Sequence, residues 1–270
     1  MISRHERTHK DALAARSWMP QFGPSQREER IMTLDGKRIV LLGGSSGIGL
    51  ATAQAAAREG ASVVIASSRK TRIDQALVTL PADTEGHVLD LADADAMQKL
   101  FARLGGFDHL VFTAGETLQL GKIANTDVEA ARRAFDLRYW GAYLAAKYGS
   151  GGIRSGGSIV FSSGTAGQRP RVGWTVVASI CAAMEGLTRA LAVELAPIRV
   201  NIVSPYVVKT ALWAGMAETD REALYQRTAE RVPVRHVGEP EEIAEAYLYL
   251  MRQSYGTGQV MVVDGGAMLV

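Results

Sequence analysis

Three glycines, Gly43, Gly47 and Gly49, stand in the run Leu41-Leu42-Gly43-Gly44-Ser45-Ser46-Gly47-Ile48-Gly49, between an apolar stretch and a segment of helical period. That spacing suits the binding of a pyrophosphate. Glycine permits a tight turn and lets the backbone approach the anion, which then faces the first N–H groups of the helix. Ser45, Ser46 and Ile48 complete the turn. Further on, Ser67, Ser68, Arg69 and Lys70 close the second apolar run. A dinucleotide site built for NAD usually places a carboxylate here for the ribose hydroxyls, and this chain has none. Two hydroxyls and two cations instead offer a 2′-phosphate charge-assisted hydrogen bonds, which points to NADP(H) in preference to NAD(H). The competing readings are cations in an ordinary solvated loop and a glycine turn that holds no ligand.

These groups need a scaffold. From residue 38 onward short β-branched runs alternate with longer segments of helical period, the signature of a parallel sheet with helices on both faces. The expected strands are Arg38–Leu42, Ser62–Ala66, His87–Leu89, His109–Phe112, Ser158–Phe161, Val200–Val203 and Val260–Val263, mostly apolar, as strands covered on both sides are. The expected helices are Ile48–Glu59, Ala92–Leu104, Asp127–Lys147, Thr175–Leu195 and Glu239–Met251, with Asp93, Thr126 and Glu239-Pro240 near their starts. The pattern predicts a single doubly wound α/β domain of about seven strands over 32–270. Thr210–Val234 is polar, helical in pattern and carries Trp213, Met216 and Tyr225; the topology places it to cover the cleft as a lid. Residues 1–31 read as a loosely packed extension, with Met32 an alternative start.

A chain of 270 residues, 47% of them hydrophobic, can bury one sizeable core. Its net charge of +2 comes from scattered residues without a basic stripe, which argues against nucleic acid as a partner. The single cysteine, Cys181, excludes an internal disulfide and a cysteine-rich metal centre; no metal is expected, and a reducing, cytoplasmic setting fits. No uninterrupted apolar run approaches the roughly 20 residues of a membrane span, so no membrane partner is expected. Residues 1–30 lack the apolar centre of a signal peptide.

Other segments join the glycine turn. Asp90-Leu91 follows the third expected strand, Thr113-Ala114-Gly115 follows the fourth, and Gly157-Ser158-Ile159-Val160 leads to Ser162-Ser163. Arg199-Val200-Asn201 precedes Pro205, and the chain ends through Thr257-Gly258-Gln259-Val260 and Val263-Asp264-Gly265-Gly266. With these, nearly all of residues 36–268 resembles the short-chain dehydrogenase/reductase family. The resemblance implies a Rossmann-type fold and a nicotinamide cofactor. It implies that Asp90 and Leu91 lie against the adenine, that Ala114 and Gly115 lie against the adenosine ribose after Thr113, a cofactor-site residue standing where the family usually has a second asparagine, and that Val208 and Thr210 lie near the carboxamide. It also implies a homodimer or homotetramer assembled through Asp127–Lys147, Thr175–Leu195 and the C-terminal strand. From the residues alone, Asp90 as a helix cap and Thr210 as a turn residue remain alternatives.

In this family a serine orients the substrate oxygen and a tyrosine exchanges the proton. A lysine four residues later lowers the tyrosine pKa and holds the nicotinamide ribose, and an asparagine on the preceding helix completes the relay. Ser163 matches the serine. Alignment on Glu185-Gly186-Leu187-Thr188-Arg189-Ala190-Leu191 puts Val177 at the tyrosine position and Cys181 at the lysine position. Valine has no proton to give and cysteine no positive charge, and no Tyr or Lys lies between Trp174 and Pro205 to replace them. Cys181 reads more naturally as a small buried residue. The asparagine position holds Arg138.

Two residues could supply what is missing: Tyr206, where the family has glycine, as an acid, and Arg138 as a fixed positive charge. A packing tyrosine and a surface or interface arginine are the plainer alternatives. Trp174, Trp213, Met216 and Tyr206 offer an apolar pocket wall. Three functions follow. The first is an NADP(H)-dependent oxidoreductase with non-standard acid/base residues, acting on an unknown small carbonyl or enone whose oxygen Ser163 holds. The others are a non-catalytic NADP(H)-binding sensor or partner subunit, and a non-redox isomerase or cyclase. The enzyme is preferred, because an intact cofactor turn beside an apolar cleft calls for a ligand.

Overall fold

The structure is a computed structural model and describes residues 33–115, 118 and 120–270. The expected extension 1–31 lies outside the described residues. Seven parallel strands form one sheet: β1 Arg38–Leu42, β2 Ser62–Ser67, β3 Glu85–Val88, β4 Phe107–Phe112, β5 Ile153–Ser162, β6 Arg199–Pro205 and β7 Val260–Val263. Their spatial order is β3-β2-β1-β4-β5-β6-β7. The chain therefore reverses its direction of winding between β1 and β4, and the crevice at the carboxyl ends of those strands is where a doubly wound sheet takes its ligand.

The crossover helices are α1 Gly47–Arg58, α2 Lys70–Val78, α3 Ala94–Leu104, α4 Val128–Phe135, α5 Gly141–Gly149, α6 Thr175–Glu194, α7 Glu218–Arg231 and α8 Pro240–Arg252. Each face of the sheet has its own core. On one side Val40, Leu110, Phe112, Ile159 and Phe161 meet α3, α5 and α6. On the other Ile39, Leu41, Val111, Val160 and Val203 meet α1 and α8, whose alanines allow close packing. Asp93 and Asp127 cap α3 and α4 by accepting backbone N–H bonds, and α8 opens with Pro240 behind a Glu239/Glu242 capping box. Neither α1 nor α2 has a side-chain cap.

The sequence expectation needs four corrections. α2 was not expected; only Ile73 and Ala76 are buried along it, too few to mark a helical period. β3 lies two residues earlier than His87–Leu89 at its start and one earlier at its end. The single helix expected at Asp127–Lys147 is broken by a π turn, Asp136–Trp140, in which the Gly141 N–H reaches the Asp136 carbonyl. Among the described residues α6 is long and apolar enough to cross a membrane, with mean hydropathy 1.6. Its Val177, Ile180, Cys181, Met184, Leu187 and Leu191 are buried, so here it serves as a core helix. The segment Thr210–Val234 contains a short 3-10 turn, Ala211–Trp213, and α7.

Candidate functional site

The turn after β1 is pressed onto the turn after β4. Gly43 has φ +94°, and a Cβ there would lie 2.5 Å from the Ala114 backbone nitrogen. A Cβ on Gly49 would lie 2.2 Å from the Gly43 carbonyl oxygen and 2.4 Å from Thr113 Oγ1. Both positions therefore exclude any side chain. The Thr113 N–H donates to the Leu42 carbonyl at 2.8 Å, which fixes the two turns edge to edge. Ser45 is buried, and Ser46, at the start of α1, has extended backbone and makes no capping bond. The first N–H groups of α1 thus keep their capacity for an acceptor, with Ile48 and Gly49 in that first turn.

Thr210 sits across this turn, its Cγ2 about one contact distance from Gly47. Its hydroxyl accepts from the Leu212 N–H at 3.3 Å, so it is both a turn residue and a neighbour of the glycine loop. Val208 is buried, and its carbonyl accepts from Trp213 Nε1 at 2.9 Å. A cleft of about 440 Å³ opens between Gly47, Thr210, Ala211, Arg221 and Tyr225.

At the end of β2, Ser67 is half-buried, while Ser68 and Arg69 are exposed. Arg69 stands immediately before α2, and Lys70 opens the helix with its ammonium 2.8 Å from the Asp74 carboxylate. Lys70 is therefore engaged within α2, which leaves Arg69 and the two serines facing outward. Two cations at a helix N-terminus oppose the helix dipole, an arrangement that a bound dianion would offset. Asp90 is exposed and its carboxylate accepts from the Ala92 N–H at 2.9 Å; Asp93, not Asp90, caps α3. Leu91 is buried in the core. The glycine cradle, the uncapped α1 and the cationic start of α2 together fit a phosphorylated dinucleotide.

The candidate catalytic end lies where β5 meets α6. Ser163 follows β5, its N–H donating to the Val203 carbonyl at 2.8 Å and its hydroxyl to the Cys181 carbonyl at 3.3 Å. Val177 and Cys181, one turn apart on α6, are buried with Ala166, and Trp174 and Leu118 pack against them. Burial pushes the Cys181 thiol up, outweighing the opposing effects of the Ser163 hydroxyl and the Arg138 charge. Arg138, in the π turn, is half-buried and lays its guanidinium on Gly115, within 2.8 Å of where a Cβ would stand. π turns recur at functional sites because the extra residue redirects side chains. The fold thus gathers Ser163, Val177, Cys181, Arg138 and Gly115.

Tyr206 is placed differently. Its hydroxyl accepts from the guanidinium of Arg171, and its ring packs beside Val207, Trp213 and Val237. Arg171 lies 5.4 Å from the ring centres of both Tyr206 and Trp174. The sequence reading named the two rings and missed the arginine between them; the only signal was the short spacing from Arg171 to Trp174.

A doubly wound sheet with a glycine cradle at its switch point and a serine at the end of β5 is the architecture of dinucleotide-dependent oxidoreductases of Rossmann type. The chain belongs to the short-chain dehydrogenase/reductase family, whose members bind nicotinamide cofactors: the family model described as enoyl-(acyl carrier protein) reductase matches residues 43–268. A short-chain dehydrogenase/reductase of Stachybotrys chlorohalonatus is 36% identical over 252 residues, covering 88% of this chain and 99% of the relative. A solved small-chain dehydrogenase in complex with NADPH is 42% identical, with a TM-score of 0.78 over 87% of this chain and 100% of its own. The MalC reductase/Diels-Alderase from Malbranchea aurantiaca is 31% identical, with a TM-score of 0.80 over 87% and 97% of the two chains.

Proposed function

We propose that the chain is an NADP(H)-dependent reductase of a small carbonyl or enone, with an activated carbon–carbon double bond the preferred acceptor. The observation that carries this reading is the Arg138 guanidinium lodged on Gly115, with its charge felt at Cys181, whose carbonyl accepts from the Ser163 hydroxyl. When bound, NADPH supplies the hydride. The Gly43–Gly49 turn and the α1 N-terminus would hold its pyrophosphate, and Ser67, Ser68 and Arg69 its 2′-phosphate. Ser163, turning its O–H from the Cys181 carbonyl, donates a hydrogen bond to the substrate oxygen as negative charge develops there, and Arg138 contributes a fixed positive charge to the same region. With Val177 and Cys181 at the usual tyrosine and lysine positions, neither of the two protonates the product, and water does. Enone reduction tolerates this better than ketone reduction, because the charge is spread over an enolate. Tyr206, engaged by Arg171, is read as a wall residue and not as the acid.

NADP(H) preference is supported by Arg69 at the uncapped start of α2 and by the NADPH complex of the solved relative. Calorimetric titration with NADPH, NADP, NADH and NAD, repeated on Arg69→Ala, tests it; a preference for NADH would overturn it. NADPH oxidation screened with paired enones and ketones, on wild type, Arg138→Lys and Arg138→Ala, tests the chemistry. Turnover that survives Arg138→Ala removes the proposed role. Tight NADPH binding with no turnover would leave the non-catalytic binding protein.

A second reading is cyclisation in the same cleft, for which MalC is the prompt, its name joining a reductase to a Diels-Alderase. A cycloaddition exchanges no proton, so the buried Val177 and Cys181 are no obstacle to it. Product formed without NADPH oxidation would favour it. Homo-oligomerisation is also proposed: Tyr139, Trp140 and Tyr143 stack edge to face, with Trp140 half exposed, as an interface would use them. Sedimentation velocity showing only monomer at micromolar concentration would overturn it.

A further inference from the structure

The loop before α6 carries a cation that the proposed reduction does not use. Arg171 is exposed, yet its guanidinium is fixed in place: it lies between the rings of Trp174 and Tyr206, 5.4 Å from each centre, and donates to the Tyr206 hydroxyl. Its loop is tied down on the other side of Pro170, where Arg169 donates to the Ala267 carbonyl at 2.7 Å and its own N–H to the Thr165 carbonyl at 2.8 Å. Among the described residues no carboxylate lies within ion-pair distance of Arg171, whereas Lys70 has Asp74 and Lys209 has Glu239. Trp174, in turn, packs against Val177 and Cys181 at the catalytic positions. A pre-ordered guanidinium therefore stands one side chain away from the reacting centre, with most of its five donors unused.

We propose that Arg171 is the anion-recognition residue of this cleft and that the substrate carries a carboxylate set back from the bond that is reduced. A carboxylate is favoured over a phosphate monoester. The planar fork of one guanidinium matches one carboxylate in two parallel hydrogen bonds, whereas a dianion calls for a second cation. Arg169, two residues before Arg171, is turned to the C-terminal segment. The aromatic pair serves both sides of the exchange: it holds the guanidinium by cation–π contact, so that little side-chain freedom is lost on binding, and it shields the ion pair from water.

This inference rests on the catalytic cleft proposed above but not on the cofactor reading, and the test separates them. NADPH binding is measured first by calorimetry. Then 4-carboxybenzylideneacetone and its methyl ester are titrated by intrinsic tryptophan fluorescence into the full chain, with and without saturating NADP. The acid is expected to bind at least about tenfold more tightly than the ester at low salt, with the preference shrinking as salt is added. Arg171→Gln is expected to bring the acid-to-ester ratio to about one, and Arg171→Lys to keep part of it, because an ammonium retains the charge and loses the fork. Equal binding of acid and ester, no binding of the acid, or a preference that survives Arg171→Gln overturns the proposal. If NADPH fails to bind, the cofactor reading falls, and the ratio on the nucleotide-free protein still decides Arg171.

Discussion

At the N-terminal ends of β4 and β6 every prominent polar side chain is answered from within the chain, and at the carboxyl ends of the same sheet several are not. Asp108 accepts from Lys37, from the Arg38 N–H and from Arg154, and His109 Nδ1 is 2.9 Å from Ser158 Oγ. The buried Arg199 donates to the carbonyls of Leu250 and Met251 at the end of α8, and Asn201 bridges the Gly256 carbonyl and the Gln259 N–H. At the other end Ser46 caps nothing, Arg69 stands uncapped before α2, and the fully buried Ser204 hydroxyl has no partner among the described residues. Buried polar groups are nearly always satisfied, so those that are not mark the place where the fold has kept capacity for something else. One end of the sheet holds the molecule together; the other keeps the groups that the proposed cofactor would engage. Substitutions at the first should cost stability and spare binding, and those at the second should do the reverse.

Arg199→Ala gives the largest expected effect. It removes a buried guanidinium and leaves two carbonyls at the last turn of α8 without their charged donor, at a cost of about 3–5 kcal/mol. Urea unfolding would read the loss, and NADPH affinity in the folded fraction should be unchanged within about twofold. A weakened affinity would break the division between the two ends.

His109 makes the same point through pH. Burial, with help from the Arg199 charge, lowers its pKa from 6.5 to about 4. Above pH 6.5 the residue is neutral in both folded and unfolded chains. Between pH 6.5 and about 4 the unfolded chain takes up a proton that the folded chain refuses, so stability falls as pH falls, by about 3 kcal/mol in all. Denaturation midpoints at pH 7, 5.5 and 4.5 should follow that slope, and His109→Asn, which keeps a hydrogen-bonding atom near Ser158, should flatten it. An unchanged slope in the variant would place the titration elsewhere.

Arg69→Ala sharpens the contrast because its two effects have opposite signs. NADPH affinity should fall by about 10–100-fold, the worth of charged hydrogen bonds to a phosphate, with NADH affinity little altered. The free protein should gain a few tenths of a kcal/mol, since a cation leaves the positive end of α2. A loss of stability instead would mean that Arg69 has a structural role.

How much of this was legible beforehand follows the same division. β1 falls where its apolar run places it, because a parallel strand covered on both faces writes its burial into consecutive residues, and the edge strand β7, none of it fully buried, still falls on its β-branched run. The glycine turn was equally readable, since its constraint is local: Gly43, Gly47 and Gly49 lie within one turn of chain. α2 is not legible, as its sequence is mostly polar and only Ile73 and Ala76 are buried along it. The π turn at Asp136–Trp140 has no proline or glycine inside it to announce it. The stack of Tyr206, Arg171 and Trp174 joins residues 35 positions apart along the chain, and only the packing of β6 against the loop before α6 brings them together.

The smallest effect is the cleanest comparison, because it applies one chemical change at both ends. Ser158 and Ser204 are each fully buried in the central sheet, on β5 and β6. Ser158→Ala removes the hydroxyl bonded to His109 and leaves a buried ring nitrogen unpaired, which should cost about 1–3 kcal/mol. Ser204→Ala removes a hydroxyl that bonds to nothing in the chain, so the desolvation it already suffers is relieved and the midpoint of unfolding should stay within about 0.5 kcal/mol or rise. Volume and backbone hydrogen bonds change alike in the two variants, which leaves the side-chain partner as the difference between them. If Ser204→Ala also loses more than about 1 kcal/mol, the carboxyl end is as internally satisfied as the other. If it is neutral for stability yet weakens NADPH or enone binding, the Ser204 hydroxyl belongs to the group of donors held back for a ligand, with Ser46 and Arg69.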